Sequence, residues 1–386
     1  YTHLCFVQDN KMPVKRYLYQ AIKEFLDSRM VFIGGPRQVG KTTLALSFLT
    51  PSKISNPAYL NWDDLQSRSI LRKGELPSQK ILLIDEVHKF KNWRNLIKGF
   101  YDKRKDTQKF IITGSAKLDL YRRGGDSLLG RYRYLRLHPL SAAELKITKK
   151  DEISHLLEFG GFPEPFLSGS KKNLKLWHKE RLYRIVNDDI RDLENLREYS
   201  SIELLAEVLP DKVGSILSIN SLAEDLSVNY RTMERWVTIL ENVYYCFRIM
   251  PFGSRKIRAV KKEKKLYLWD WSSIASDGAR FENLVAGQLL QYCHFHEDTE
   301  GEKMELRFIR DTDKREVDFV VLKNNQPLFA VECKSGEKSI SPHLKYFKDR
   351  TSIPKFYQVH LGEKDYVFED RIRVMPLIKF CREILA

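Results

Sequence analysis

Gly35, Gly40, Lys41 and Thr42 stand in the order GxxxxGK(S/T), behind the apolar run VFI and ahead of a helical pattern. In that order glycines let backbone N–H groups turn inward around a phosphate, the lysine reaches the β- and γ-phosphates, and the hydroxyl ligates Mg2+. The loop Gly35, Pro36, Arg37, Gln38, Val39, Gly40, Lys41, Thr42 and Thr43 is therefore the candidate cradle for ATP. The helix predicted over 42–49 would aim its positive end at the same anion. Asp85 and Glu86 close the apolar run ILLID, with Asp85 44 residues after Lys41. Asp85 would join Thr42 in the Mg2+ shell, and Glu86 would orient and deprotonate the attacking water. Ser115, after KFIITG, puts a small hydroxyl where the γ-phosphate or its water is sensed, although TGS also suits a plain strand-to-helix turn.

A second set of charged residues sits on apolar runs nearer the C-terminus. Glu282 lies in the helical pattern FENL, Asp318 in EVDFVVL, and Glu332, Cys333 and Lys334 in LFAVECK, with Asp318 and Glu332 fourteen residues apart across the hairpin connection KNNQP. Strand residues alternate faces, so Glu332 and Lys334 share a side and Cys333 takes the other. Two carboxylates with an ammonium beside them would bind a divalent metal and stabilise a pentacovalent phosphate. Asp318, Glu332 and the Cys333 carbonyl are the expected ligands for Mg2+ or Mn2+, and Lys334 would position or activate water. Gln358, on a later strand, would orient the lysine or the water. A surface ion pair at a hairpin is the alternative. His294 and His296 form an HxH pair with no third ligand, read as solvent-facing imidazoles on a strand.

The elements that must hold these groups follow from periodicity. Short apolar runs at 58–62, 81–85, 109–114 and 132–137 alternate with helical patterns, which predicts a parallel sheet flanked by helices. SAAE at 141–144 offers a capping box opening a helix, and residues 141–200 look helical except for the turn GGFPEP. Within 201–252, Ser221 is expected to cap a short helix and Tyr230–Leu240 to supply a second, at a spacing that resembles a winged helix-turn-helix. Asn229, Tyr230, Arg231 and Arg235 would then face DNA. A protein-contacting or purely structural three-helix unit fits the same pattern. Arg255, Lys256, Arg258, Lys261 and Lys262 belong to a run of seven cations in eleven residues, suited to phosphate contacts or to a solvated hairpin.

Bulk properties bound the reading. A chain of 386 residues is expected to form two or three domains. Lys plus Arg exceed Asp plus Glu by 66 to 51, a net charge of +15, which favours a polyanionic partner. Five scattered cysteines without a CxxC pair read as reduced thiols in the cytoplasm, and no apolar run suggests a membrane span or signal peptide. The helical pattern starts only after Met12, so residues 1–11 are read as an upstream remnant.

From Lys15 to Phe380 the chain resembles prokaryotic AAA-type (AAA+) ATPases whose C-terminal half is a domain of unknown function 4143. The resemblance rests on GGPRQVGKTTL, LLIDEVHK, ITGSAKLDLYRRGGDSLLGRYRYLRLHPLSAAEL, GGFPEP and FENLVAGQLL. It implies a sensor role for Ser115. It also makes Arg131 a candidate γ-phosphate-sensing or trans-acting arginine, with a surface or core-edge arginine as the alternative, and the trans role implies a homo-oligomer. The C-terminal charged set resembles the PD-(D/E)XK arrangement of restriction endonucleases and archaeal Holliday-junction resolvases, where an acid on the first helix joins the site as Glu282 would. Val317 departs from it, standing where that family has proline.

The expected fold class is α/β: a P-loop (AAA+-like) parallel-sheet domain over 12–140, a helical lid over 141–200, a winged helix-turn-helix with its basic segment over 201–265, and a restriction-endonuclease-like α/β domain over 266–386. The expected function is ATP hydrolysis with DNA binding and metal-dependent endonuclease activity, with branched or Holliday-junction DNA as a substrate class. A nucleotide-switched DNA-binding or signalling ATPase with a non-cutting nuclease-like domain is the alternative, and an ATP-driven DNA-remodelling motor a third.

Overall fold

The computed structural model describes residues 14–114, 128–191, 198–253 and 264–385. Its first layer is a five-stranded parallel sheet built from β1 (Met30–Gly34), β2 (Tyr59–Asn61), β3 (Ile81–Asp85), β4 (Lys109–Thr113) and β5 (Tyr132–Arg136), in the order β2-β3-β4-β1-β5. Every residue of β1 is buried, as expected of an apolar strand covered on both faces. Parallel pairing puts the C-terminal ends of β1, β3 and β4 side by side, which is where Gly35, Glu86 and Gly114 follow. Helices α1 (Tyr19–Phe25), α2 (Lys41–Leu46), α3 (Leu65–Lys73) and α4 (Trp93–Arg104) accompany the sheet.

The SAAE segment forms a turn and opens no helix. The Ser141 hydroxyl accepts from Glu144 N at 3.2 Å, while the Glu144 carboxylate is drawn to Arg16 at 2.7 Å; the next helix, α5 (Lys150–Phe159), starts later. GGFPEP turns at its glycines and then becomes α6 (Pro163–Ser168), with proline in the first turn where a missing N–H costs nothing. α7 (Lys171–Arg184) runs into a π-helical turn, Ile185–Ile190.

Three further helices, α8 (Tyr199–Val208), α9 (Ile219–Asp225) and α10 (Tyr230–Asn242), precede β6 (Cys246–Pro251) and β7 (Lys265–Leu268). Ser218, not Ser221, caps α9, its hydroxyl accepting from Ser221 N. β6 pairs with β7 through Cys246–Ile249 and with β8 (Met304–Arg310) through Met250 and Pro251. The hairpin thereby becomes the edge of a second, eight-stranded mixed sheet, completed by β9 (Glu316–Lys323), β10 (Gln326–Lys334), β11 (Phe356–His360), β12 (Tyr366–Phe368) and β13 (Ile372–Pro376) in the order β12-β13-β11-β10-β9-β8-β6-β7. Helix α11 (Asp277–Glu300) leads into β8, and α12 (Pro342–Arg350) joins β10 to a parallel β11, so the C-terminal core runs αβββαβ; α13 (Leu377–Glu383) closes the chain.

α11 also joins the two sheets. Arg136 on β5 meets Asp298 at 2.6 Å and also Glu297, Gln288 accepts from Ala142 N at 2.8 Å, and the His294 and His138 rings bond at 2.8 Å. His294 and His296 therefore sit on a helix, against the strand expectation. Among the described residues no helix is long and apolar enough to cross a membrane.

Candidate functional site

The phosphate loop leaves β1 through Gly35 at φ +131°, where an added Cβ would lie 2.3 Å from the Leu137 carbonyl oxygen, so no other residue fits. It closes at Gly40, φ +95°, the left-handed residue from which α2 starts. Inside the loop the Lys41 ammonium donates to the carbonyls of Gly35 at 2.9 Å and Pro36 at 2.6 Å, and burial lowers its pKa to about 8. Thr42 Oγ1 donates to Asp85 Oδ2 at 2.9 Å, bringing together the two residues expected to share a magnesium ion. Two further hydroxyls, Tyr59 at 3.0 Å and Thr113, also donate to Asp85 and fix its rotamer.

Glu86 follows in a left-handed conformation at φ 55°, unusual for a non-glycine residue and typical of strain kept at working sites. Its Oε2 is buried and accepts no hydrogen bond, with the His88 ring 3.5 Å away and the Lys89 ammonium 3.9 Å away. Burial and the neighbouring Asp85 carboxylate push its pKa up to about 7. Ready hydroxyl and carboxylate ligands, a lysine on two carbonyls and an orphaned carboxylate oxygen fit Mg2+ and a triphosphate. The metal would neutralise phosphate charge there.

Arg37 departs from its expected role. Its guanidinium is held by Asp189 at 2.8 Å and Asp188 at 3.2 Å on the π-helical turn, so it ties the loop to the helical segment. Arg16, also missed in the sequence, supports the loop from outside by donating to the Val39 carbonyl at 2.7 Å. Arg131 does not stand near its own loop. Met30 pairs with Tyr132 and Gly34 with Arg136, so Arg131 lies at the opposite end of the sheet, a strand length of about 16 Å away, and it pairs with Asp102 at 2.8 Å. Sensing the γ-phosphate of its own chain is thereby corrected, and the partly exposed ion pair with Asp102 fits a surface arginine as well as one that acts in trans. Ser115 lies outside the described residues.

The C-terminal charged set does converge. β9 and β10 are antiparallel with Phe319 opposite Val331, which places Asp318 and Glu332 opposite each other one step further along. Asp318 Oδ2 accepts from Cys333 N at 2.8 Å, and Glu332 Oε1 accepts from the Lys334 ammonium at 2.6 Å. Glu332 Oε2 is buried with no hydrogen-bond partner; burial and Asp318 push this carboxyl up to about 7. An orphaned carboxylate oxygen beside a second carboxylate suits a divalent cation. Among the described residues no three His, Cys, Asp or Glu side chains form a ready metal cage, so a main-chain oxygen such as that of Cys333 is needed as well.

Glu282 stands at the far side of this set, accepting from Tyr267 OH at 2.8 Å and from Lys265 at 3.1 Å; burial and Asp318 raise its carboxyl to about 7. Lys265 also meets Glu316 at 2.6 Å. Sequence reading had counted it with the surface cations, and nothing local distinguishes it from Lys264. Gln358 does not orient the lysine. It is fully buried beside Glu332 in register, but its amide accepts from Ser341 N at 2.8 Å and donates to the carbonyls of Lys338 and Ser339 at 3.3 Å, shaping the loop after β10.

On the helical unit, Tyr230, Arg231 and Arg235 are exposed on α10, with Tyr230 at 52%. Asn229 is also exposed, but its Oδ1 is committed to capping α10 through Thr232 N at 2.9 Å, which corrects its expected readout by that atom. Arg255, Lys256, Arg258, Lys261 and Lys262 lie outside the described residues.

Comparison with known proteins gives three consecutive family matches: an AAA domain over residues 27–146, a domain of unknown function (DUF8612) over 150–276 and a domain of unknown function (DUF4143) over 277–380. The chain is 24% identical to uncharacterized protein MJ1637 of Methanocaldococcus jannaschii, over 86% of this chain and 82% of that protein. It is also 24% identical to MJ1544 of the same organism, over 92% and 88%. Among solved structures it is similar to the Thermotoga maritima RuvB Holliday junction branch migration motor, at 20% identity over 60% of this chain and 88% of that one, with a TM-score of 0.30. The chain thus carries an AAA-type P-loop ATPase domain, followed by a second, mixed-sheet region whose C-terminal part matches DUF4143.

Proposed function

We propose that this protein couples ATP hydrolysis to action on DNA, and that its C-terminal domain is a PD-(D/E)XK-like, metal-dependent endonuclease. The observation that carries the nuclease reading is the facing pair Asp318 and Glu332, with Lys334 on one Glu332 oxygen and the other buried without accepting a hydrogen bond. The αβββαβ order of the surrounding core supports it. Asp318, Glu332 and the Cys333 carbonyl would hold Mg2+ or Mn2+, which supplies charge neutralisation at the phosphodiester. Lys334 positions a water whose oxygen attacks phosphorus as one P–O ester bond breaks, the water's proton passing to solvent and the leaving oxygen taking one from solvent, and Glu282 completes the acidic wall.

In the ATPase domain, Lys41 binds the β- and γ-phosphates and Glu86 takes the proton of the water that attacks the γ-phosphorus, with the bond to the ADP oxygen breaking. The α8–α10 unit with the β6–β7 hairpin acts as a winged helix, offering Tyr230, Arg231 and Arg235 to DNA, and the undescribed basic segment adds phosphate contacts. Arg131 serves a neighbouring copy in a homo-oligomer, because its own loop is out of reach. A reducing cytoplasmic setting suits the free thiols of Cys246, Cys293, Cys333 and Cys381.

A second reading, a nucleotide-switched DNA-binding module that does not cut, is favoured by one observation: the Lys265 ammonium already partly neutralises the acids. End-labelled four-way junction, flap, duplex and single-stranded DNA incubated with Mg2+ or Mn2+, with and without ATP, separates the two. Cutting lost in Lys334→Ala while ATP hydrolysis persists supports the nuclease. Cutting unchanged in Lys334→Ala refutes the site, and DNA binding without any cutting supports the switch. Lys41→Ala, expected to lose ATP affinity, reports whether cutting depends on nucleotide.

A further inference from the structure

Lys265 is 1% exposed, although it ends a run of cations that elsewhere suits solvent. Its ammonium lies 2.6 Å from Glu316 Oε1, 3.1 Å from Glu282 Oε1 and 3.7 Å from Asp318 Oδ1. A lysine this buried persists only with carboxylates around it, and these raise its pKa despite the desolvation. The position is braced on both sides. Asn283 on α11 holds both main-chain groups of Leu268 at 2.7 Å, and β7 pairs along β6, which continues onto β8. The αβββαβ core does not supply this cation; the preceding hairpin delivers it into the core's acidic wall.

Its neighbours are already partly committed to the cations around them. Asp318 has one oxygen toward Lys265 and the other on Cys333 N, and Glu282 accepts from both Lys265 and Tyr267. Glu316 is additionally set against Arg310 at 3.1 Å. Glu332 Oε2 is the fully buried oxygen among these carboxylates that accepts no hydrogen bond. Glu282, Asp318 and Glu332 against Lys265 and Lys334 leave a single negative charge. One divalent ion turns that into a single positive charge, which the single negative charge of a phosphodiester matches. A second divalent ion would meet the Lys265 ammonium at close range, where the doubly charged ion and the ammonium repel each other.

Resting on the metal-centre reading above, we propose that Lys265 stands in for a second cation, so that this centre takes one divalent metal ion per chain, on the Asp318–Glu332 side. Mn2+ binding to the full, nucleotide-free chain, counted by the loss of the free-ion electron paramagnetic resonance signal and by calorimetry, tests it. The wild type is expected to bind one Mn2+ that Glu332→Gln loses. Lys265→Met, which keeps length and removes charge, is expected to bind two, and Lys265→Arg to stay at one. Two Glu332-dependent ions in the wild type, or one in Lys265→Met, overturn the proposal while leaving the metal centre intact. No Glu332-dependent ion at all overturns the metal-centre reading itself. Should Lys265→Met fail to fold, Lys265→Gln, which also removes the charge, takes its place with the same expected count of two, and a count of one overturns the proposal.

Discussion

Replacing Glu332 with glutamine should stabilise the metal-free protein while removing its metal response. Glu332 is 4% exposed, and burial together with Asp318 raises its carboxyl from an ordinary value near 4.5 to about 7. At pH 8 the folded chain must nevertheless hold it ionised, which at 1.36 kcal/mol for each tenfold change in proton affinity costs about 3 kcal/mol. For an acid whose folded pKa is raised, stability is greatest below its unfolded pKa and is lost as pH rises through the folded one. The wild type should therefore lose stability between about pH 4.5 and 7, and Glu332→Gln should lose less over the same window. Part of the gain is offset because Lys334 loses its 2.6 Å partner, so a net stabilisation of about 2 kcal/mol at pH 8 is expected. The assay is denaturant unfolding of both proteins at pH 5 and pH 8, with and without Mn2+. Ion binding at a hundred times its Kd adds about 2.7 kcal/mol, and should do so only in the wild type. A Glu332→Gln protein less stable than wild type at pH 8 without metal, or one that Mn2+ stabilises equally, would refute the reasoning.

Three further outcomes are expected. Glu86→Gln should keep ATP affinity and lower hydrolysis by about 10²- to 10⁴-fold, and wild-type turnover should fall as pH drops below about 7, where the base is protonated; a flat rate from pH 6 to 8 would remove Glu86 from that role. Arg131→Ala should leave ATP binding by one chain unchanged and slow hydrolysis only where chains associate. Mixing it with a Lys41→Ala chain, whose Arg131 is intact, should restore turnover, and failure of every mixture to do so counts against a trans arginine. Arg231→Ala should weaken DNA binding about equally across sequences and reduce the salt slope by about one, read from binding isotherms at several salt concentrations; an unchanged slope removes it from the phosphate contacts.

The phosphate loop, the Asp85–Glu86 pair and strands β1 to β5 were legible because their signals are local: an apolar run, a glycine turn and a hydroxyl or acid at a set offset. Asp318, Glu332 and Lys334 were legible for the same reason, since a hairpin with period-two alternation places its own residues. Gln358 and Arg131 were misjudged because their partners come from elsewhere. The first is claimed by the loop at 338–341, and the second by the pairing of β5 with β1, which sends it to the far end of the sheet. The HxH pair alternates like a strand, yet α11 is helical through Glu300 because it covers β8 to β10 while also bearing on β5. Ionisation was equally invisible. Lys264 and Lys265 are adjacent and identical in type, and only the pairing of β7 with β6 and the Asn283 clamp turn the second inward among carboxylates. Sequence alone determined which groups could do chemistry, since spacing along one strand or loop sets their relative places. Tertiary structure decided which charges meet, because a buried ion's energy depends on neighbours brought from distant segments.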